Sequence, residues 1–217
     1  MSAQSDSLGT PVNSVAEFSH LPPVFRVLLS RVSVAPKTLI APGPDIGEVS
    51  LLIASALTAA DHGRLRPWRF ISVEGTGRLQ LSRCLVEIRR QRRPGIRPSE
   101  LATTWKKAMC APTLIAVVAK LARDHPKVPL HEQYISVGAA IHGLMLAAHA
   151  LGYGAIILSG PRARDPSINA LFELKEQEEM IGFISLGTPA KTIPPKHRPA
   201  PMDHLQVWQG VRRTKCR

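Results

Sequence analysis

The 217-residue sequence has little of what several classes of protein depend on. It contains three cysteines, Cys84, Cys110 and Cys216, and none of them belongs to a CxxC pair. This spacing argues against a secreted disulfide framework and against a zinc ribbon. Aromatic residues make up only 5% of the chain, which argues against a surface that binds single-stranded nucleic acid by base stacking.

Several catalytic motifs are absent or incomplete. The chain has neither a GxxxxGKS/T phosphate loop nor a GxSxG nucleophile elbow. His131-Glu132 begins like an HExxH zinc-protease motif, but Ile135 occupies the position of the second histidine. His142 and His149 are two helical turns apart, roughly 10 Å, which is too far for one metal ion. We therefore expect no metal site.

Charge and hydropathy indicate a globular protein of one ordinary domain. Lys and Arg number 28 against 16 Asp and Glu, so the net charge is +12, which favours anionic partners. Met1–Asn13 shows no signal-peptide pattern. The charge-free stretch Tyr134–Pro161 contains two histidines and is interrupted by Gly152 and Gly154. We interpret this stretch as a buried helix, a turn and a buried strand, and expect a cytoplasmic protein without a membrane span.

Hydrophobic periodicity predicts helices that alternate with strands, which is typical of an α/β or α+β domain. Asp45 and Glu48 have the spacing of a capping box, and Leu114–Ala119 is an apolar run typical of a strand buried on both faces. The predicted helices cover 24–31, 45–60, 78–92, 99–110, 136–151 and 165–174, and the strands 70–73, 114–119, 155–158 and 181–186. The predicted organisation is a loose N-terminal arm (1–19), a folded domain (20–190) and a basic, Pro-rich tail (191–217).

Polar residues concentrate at the ends of these predicted elements. Arg31 and Ser33 follow a helix, and an arginine fork with a hydroxyl suits a phosphate, although a surface ion pair would explain Arg31 equally well. Residues 61–69 place one histidine, three arginines and one tryptophan in a connecting loop. Residues 152–160 form a glycine-bounded strand end that a flat ligand could approach. Together they indicate an anionic ligand with an aromatic ring.

In chain order these segments resemble the nitroreductase superfamily of flavin enzymes, and within it the small YdjA-like branch. The resemblance spans about residues 22–190, and the order and spacing of its parts make it specific. It is carried by RVS at 31–33, ADHG at 60–63, RPWRF at 66–70, APTLIAVVA at 111–119, KVP at 127–129 with EQ at 132–133, the helix and strand start at 138–156, and GFISLGTP at 182–189.

The resemblance implies an α+β sandwich whose central, mostly antiparallel sheet is flanked by helices, in an intertwined homodimer. It implies FMN at the dimer interface, with NAD(P)H as the electron donor. A flat acceptor such as a nitroaromatic or a quinone would be reduced in the same slot by ping-pong hydride transfer. Because the flavin carries the chemistry, no catalytic side chain is required. No nucleic-acid partner is implied.

Cofactor-binding positions also follow from the resemblance. Residues 147–152 would contact the nicotinamide nucleotide. Arg64 and Arg66 would add positive charge, and Arg66 or His62 would tune the flavin. The complete implied set is Arg31, Val32, Ser33, Thr58, His62, Arg64, Arg66, Ile157, Leu158, Ser159 and Arg198.

The sequence departs from the family pattern at several of these positions. Val32 replaces one of two paired arginines, and Ile157-Leu158 replaces a Trp-Arg pair. These changes leave two alternatives open. One is a flavin-less basic protein on the same fold that binds a polyanion, through the arginine cluster at 89–97 for example. The other is a flavin enzyme that catalyses a different reaction.

Overall fold

The computed structural model describes residues 20–194 and 196–210. The predicted N-terminal arm, 1–19, lies outside the described residues. The described residues divide into two compact units, one of residues 31–193 and one of residues 20–30 with 194 and 196–210. In the smaller unit the described elements are helix α1, Pro23–Ser30, and a 3-10 turn at Pro201–His204.

The larger unit contains a five-stranded sheet whose paired strands are all antiparallel. Strand β5 pairs with β1, β3 and β4, and β3 also pairs with β2, which lies at an edge. The fold is therefore α+β with a mostly antiparallel sheet, as the sequence predicted. The strands are β1 (Leu39–Ile40), β2 (Trp68–Ser72), β3 (Thr113–Lys120), β4 (Gly154–Leu158) and β5 (Glu178–Pro189).

Helices cover both faces of this sheet. Alternation along β3 sends Ile115 and Val117 into one hydrophobic core and Ala116 and Val118 into the other, so the prediction of a doubly buried strand is confirmed. The first core is closed by α2 (Ile46–Ala56) and α5 (Leu130–Ala150), and the second by α3 (Gly75–Arg92), α4 (Pro98–Met109) and α6 (Pro166–Leu171).

The N-terminus of α2 matches the prediction and its C-terminus does not. The Glu48 backbone N–H donates to the Asp45 carboxylate at 2.8 Å, and the Asp45 N–H donates to the Glu48 carboxylate at 2.9 Å, which confirms the capping box. The helix ends at Ala56, because the backbone then closes tight turns from Leu57 onward. Gly63 lies beyond this end, in a 3-10 turn, with φ of 75°.

Helix α5 begins six residues earlier than predicted. Its first turns look like a polar loop in sequence, because His131, Glu132 and Gln133 are adjacent. Gln133 is nevertheless buried, and its amide exchanges hydrogen bonds of 2.9 Å with the backbone of Ala122. The start of the helix was missed because Gln133 is polar in sequence but is buried in the structure with its hydrogen bonds made. Within the described residues, no helix is long and apolar enough to cross a membrane.

Candidate functional site

An apolar cleft lies at the end of β4, on the face of the sheet covered by α3 and α4. Its floor includes Leu85, Leu114 and Phe183, and Leu158 and Gly160 form part of its rim. It encloses about 110 Å³. This volume is smaller than the roughly 300–1,000 Å³ of complete ligand pockets.

The position of the β4 end depends on a glycine in β5. At Gly182 the register of β5 against β3 shifts, and the strand bulges. A Cβ atom on Gly182 would lie 2.6 Å from the Leu158 carbonyl oxygen and 3.0 Å from the Ser159 Cα. The backbone of 158–159 can rest against β5 only because residue 182 has no side chain, and this contact fixes the rim of the cleft.

The structure separates the side chains of the three residues predicted at the β4 end. Ile157 packs against the core on the α5 side of the sheet, whereas Leu158 lines the cleft on the opposite side. Ser159 is exposed just beyond the strand. Strand alternation is the reason, because adjacent residues point to opposite faces. Of Ile157 and Leu158, it is therefore the Leu158 side chain that a ligand in the cleft would meet.

Arg31, Val32 and Ser33 lie beside the other end of β4. Ser33 forms a parallel bridge with Ala155, and the Val34 N–H donates to the Ala155 carbonyl at 3.1 Å. From Ala155 to Ser159 the strand advances about 13 Å, at roughly 3.3 Å per residue. The predicted phosphate-binding residues and the apolar cleft thus stand at opposite ends of one strand. This arrangement suits an elongated ligand with an anionic end and a flat, apolar end.

Arg31 lies close enough to the C-terminal end of α5 for its charge to affect the pKa of a histidine there. Burial lowers the pKa of His149 in the last turn of α5, and the positive charge of Arg31 lowers it further. His149 is therefore neutral at physiological pH and adds no charge beside Arg31.

His62 is held by a carboxylate from a distant part of the sequence. Its Nδ1 lies 2.6 Å from an Oε atom of Glu132, in the first turn of α5. This contact fixes the imidazole ring and leaves Nε2 for another partner. Thr58 precedes this loop, is exposed, and donates its hydroxyl to the Ser55 carbonyl at 2.8 Å.

The loop that follows His62 has a strained backbone. Arg64 and Arg66 both have positive φ, 53° and 49°, in addition to Gly63. The Arg66 N–H donates to the Asp61 carboxylate at 2.7 Å, which holds the turn. Non-glycine residues in this conformation concentrate at functional sites. The Arg66 side chain faces a second cleft, which is lined also by Trp68 and Phe70 of β2.

One chain does not bring all the predicted residues together. His62 contacts the first turn of α5, whereas Arg31 influences His149 in its last turn. From Glu132 to His149 the helix axis advances about 25 Å at 1.5 Å per residue. The residues at 31–33 and the loop at 62–66 are therefore two separate groups within one chain. Arg198 belongs to the smaller unit, and its role remains a prediction.

Three residues of the cleft were missed in the sequence. Thr104 and Lys107 lie on one face of α4, and Arg162 lies in the turn after β4. The i, i+3 spacing of Thr104 and Lys107 was a usable signal, but only the packing of α4 against the sheet shows where that face points. Among the described residues, no group of three His, Cys, Asp or Glu side chains could hold a metal ion.

Comparisons with known proteins agree with this architecture. The sequence signature of the nitroreductase family matches residues 41–188. The Escherichia coli (strain K12) protein named "Putative NAD(P)H nitroreductase YdjA" is 32% identical over 164 residues, which cover 76% of this chain and 87% of that protein.

Two solved structures share the fold. A nitroreductase-like family protein from Bacillus cereus superposes with a TM-score of 0.71 at 20% identity, over 88% of this chain and 99% of that one. An NADPH:FMN oxidoreductase from Vibrio harveyi, solved with NAD+, gives a TM-score of 0.64 at 18% identity, over 87% of this chain and 79% of that one. At these identities the two structures establish the fold alone.

Proposed function

The chain belongs to the nitroreductase family of oxidoreductases, and from this premise we propose that it binds FMN between two copies of itself and uses NAD(P)H to reduce flat acceptors such as nitroaromatics or quinones. The observation that carries the proposal is the arrangement along β4. Arg31 and Ser33 stand at the start of that strand, and an apolar cleft lies at its end.

The residues present fit FMN. Arg31 and Ser33 would hold the phosphate through charge-assisted hydrogen bonds. Leu158 and Phe183 offer apolar surface to a flat ring, and Gly182 lets the backbone of 158–159 approach it. The departures at 32, 157 and 158 are therefore compatible with a flavin. Val32 would contribute backbone, and Lys107 places one cation at the cleft, where the departure at 158 removes one.

A second copy of the chain would complete the site. The cleft of one chain is too small for a whole ligand pocket, and the loop at 62–66 lies far from Arg31 along α5. Helix α5 also presents an exposed stripe without Asp, Glu, Lys or Arg, formed by His131, Ile135, Gly138, Ala139, His142 and Ala150. Ile135 is 66% exposed in the single chain. Such a face suits burial against its own copy, which would bring His62 and Arg66 of one copy to the flavin of the other.

The chemistry needs no side-chain nucleophile. Bound FMN supplies two-electron transfer between the nicotinamide and the acceptor. For a nitro compound the overall reaction is NAD(P)H + H⁺ + R–NO₂ → NAD(P)⁺ + R–NO + H₂O. The role of the chain is to orient both molecules, to exclude water through the apolar cleft and to place positive charge where negative charge develops. Lys107 joins Arg66, Arg64 and His62 as a candidate for that last role.

The absorption spectrum of the purified protein tests the proposal. The protein is incubated with excess FMN, desalted, and then treated anaerobically with NADPH or NADH. We expect a flavin spectrum that survives desalting and bleaches with the donor. Light scattering on the same sample is expected to give the mass of two chains.

Matched variants locate the phosphate. Arg31→Gln is expected to weaken FMN binding by about tenfold or more, because a charge-assisted hydrogen bond contributes roughly 1.5–3 kcal/mol. Arg164→Gln removes an exposed arginine that does not line the cleft and is expected to have no effect. A protein that stays colourless would refute the proposal and favour a flavin-less binding protein. A flavin that is retained but never bleaches would indicate a different reaction.

A further inference from the structure

We infer that Arg162 binds an anionic group on the aromatic electron acceptor, so that the protein prefers acceptors carrying a carboxylate on the ring over neutral ones. This inference rests on the proposed function. It adds a substrate class that neither the family nor the relatives specify.

Arg162 is placed at the cleft by a short, well-defined turn. The Ala163 N–H donates to the Gly160 carbonyl at 2.9 Å, and the Asp165 N–H donates to the Arg162 carbonyl at 3.3 Å. The side chain is half-buried and lines the cleft beside Leu158. It makes no hydrogen bond or ion pair with residues 20–194 or 196–210.

The charges around Arg162 are predominantly positive. Burial lowers its pKa, and the nearby charges of Arg89 and Arg92 lower it further. Arg92 is engaged by the Asp165 carboxylate at 2.7 Å. The only other carboxylate paired with this cluster, within the described part of the chain, is Glu100.

Glu100 is shared by three arginines. Arg89, Arg93 and Arg97 approach its carboxylate at 3.4, 3.1 and 3.4 Å. The Nε atom of Arg89 is buried and lacks a hydrogen-bond partner among the described residues. Four arginines thus pair with two carboxylates, and Arg162 pairs with neither.

A half-buried guanidinium among like charges is costly unless an anion approaches it. The planar fork of an arginine matches a carboxylate through two parallel hydrogen bonds. The other residues of the cleft are mostly apolar, with Thr104, Lys107 and Ser185 as the exceptions, so the ligand that Arg162 meets has an apolar body and an anionic substituent. The FMN phosphate does not meet this description, because its predicted partners, Arg31 and Ser33, stand beside the start of β4. The remaining ligands of the cleft are the donor and the acceptor, and of their rings only that of the acceptor can carry a carboxylate, because the nicotinamide ring carries a neutral amide.

Benzoate and benzamide test this inference, because they have similar size and shape but only benzoate is charged. Each is titrated into the flavin-loaded protein, and binding is followed by the flavin absorption spectrum and independently by calorimetry. We expect wild type to bind benzoate about ten- to a hundredfold more tightly than benzamide. Arg162→Gln is expected to reduce this ratio to about one, and Arg164→Gln, in the same turn but outside the cleft, to leave it unchanged.

Arg162→Lys keeps the charge without the fork and is expected to give an intermediate ratio, which preserves the test if the glutamine variant does not fold. A ratio near one in wild type, or a high ratio that survives Arg162→Gln, would overturn the inference. So would loss of FMN in the Arg162 variants, which would assign this arginine to the cofactor.

The same variants are assayed with NADPH and NADH to separate the acceptor from the donor. A preference for NADPH that depends on Arg162, without a preference for benzoate, would assign the anion to the 2′-phosphate of the donor and overturn the acceptor assignment. If wild type does not retain FMN, the proposed function fails, and calorimetry with benzoate and benzamide still decides whether Arg162 binds an anion.

Discussion

The ion pair between Arg69 and Glu178 is expected to hold the strand that leaves the loop at 62–66. Arg69 lies on the edge strand β2, and its Nε and Nη2 atoms donate to the two carboxylate oxygens of Glu178, on β5, at 2.9 and 2.8 Å. The side chain of Glu178 is only 5% exposed, whereas that of Arg69 is 38% exposed. Replacing Arg69 with methionine would leave a buried carboxylate with the Lys175 N–H, at 3.2 Å, as its remaining hydrogen-bond donor.

The size of the effect follows from this exposure. Removing one partner of a fully buried pair costs about 3–5 kcal/mol. Water screens the exposed end of Arg69, so we expect a smaller loss, about 2 kcal/mol of unfolding free energy at pH 7. Replacing both residues with methionine removes the unpaired charge, and the double variant is expected to recover most of the loss.

The effect depends on pH in a defined direction. Burial tends to raise the pKa of Glu178, but the hydrogen bonds and charge of Arg69, with the Lys175 N–H, outweigh it and lower the pKa below its usual value. In wild type this stabilisation is present above the pKa of an unfolded glutamate, about 4.3, and is lost as the pH falls through the folded value. In Arg69→Met burial dominates and raises the pKa of Glu178. The stability difference between the two proteins is therefore largest at pH 7 and shrinks on acidification.

Urea unfolding at pH 7 and pH 4.5, followed by tryptophan fluorescence at one fixed protein concentration, measures both quantities. Trp68 is buried next to Arg69 in the chain and reports on the same strand. A loss in Arg69→Met that is equal at the two pH values would show that packing, and not the carboxylate, causes it. A double variant no more stable than the single one would refute the assigned cost of the unpaired charge.

Three further predictions concern the candidate site. Gly182→Ala is expected to push the β4 backbone away from β5, because the new Cβ would meet a carbonyl oxygen at 2.6 Å, and to weaken FMN binding by about tenfold in a fluorescence titration. A phosphate beside Arg31 should offset the charge that lowers the pKa of His149, so FMN should bind more tightly as the pH falls from 7 to 6, and His149→Gln should reduce this dependence in isothermal titrations. Lys107→Gln removes a positive charge and is expected to lower the reduction potential of the bound flavin by about 30 mV, equivalent to about 1.4 kcal/mol for two electrons. An anaerobic dye titration measures this potential, and an unchanged value would show that Lys107 does not belong to the site.

Local signals in the sequence were sufficient for the elements whose cause is local. The Asp45–Glu48 capping box depends on four consecutive residues, and the apolar run at 114–119 buries both faces of β3. The start of α5 was missed because its cause is distant in sequence. The amide of Gln133 makes its hydrogen bonds to the backbone of Ala122, which lies 11 residues earlier, at the start of the connection between β3 and α5. A pattern of polar residues cannot distinguish that arrangement from a loop.

The candidate site was predictable to different degrees at its two ends. The resemblance indicated Arg31 and Ser33, and the structure places them beside the start of β4. It also indicated Ile157 and Leu158 together, but strand alternation sends one side chain into the core and the other into the cleft. A resemblance along the sequence preserves the order of the residues, but it does not show to which face of the sheet each side chain points.

The sequence did not predict how the residues at 31–33 and the loop at 62–66 could combine into one site. The Glu132 carboxylate fixes His62 at one end of α5, and Arg31 approaches the other end, about 25 Å away along the helix axis. In the proposed dimer the two groups would come from different copies, and the uncharged stripe on α5 is the surface that would pair them. A site made in this way is a property of the dimer. Its geometry depends on how two α5 helices pack, which neither the sequence of one chain nor its fold specifies, whereas the residues that each half contributes are already present.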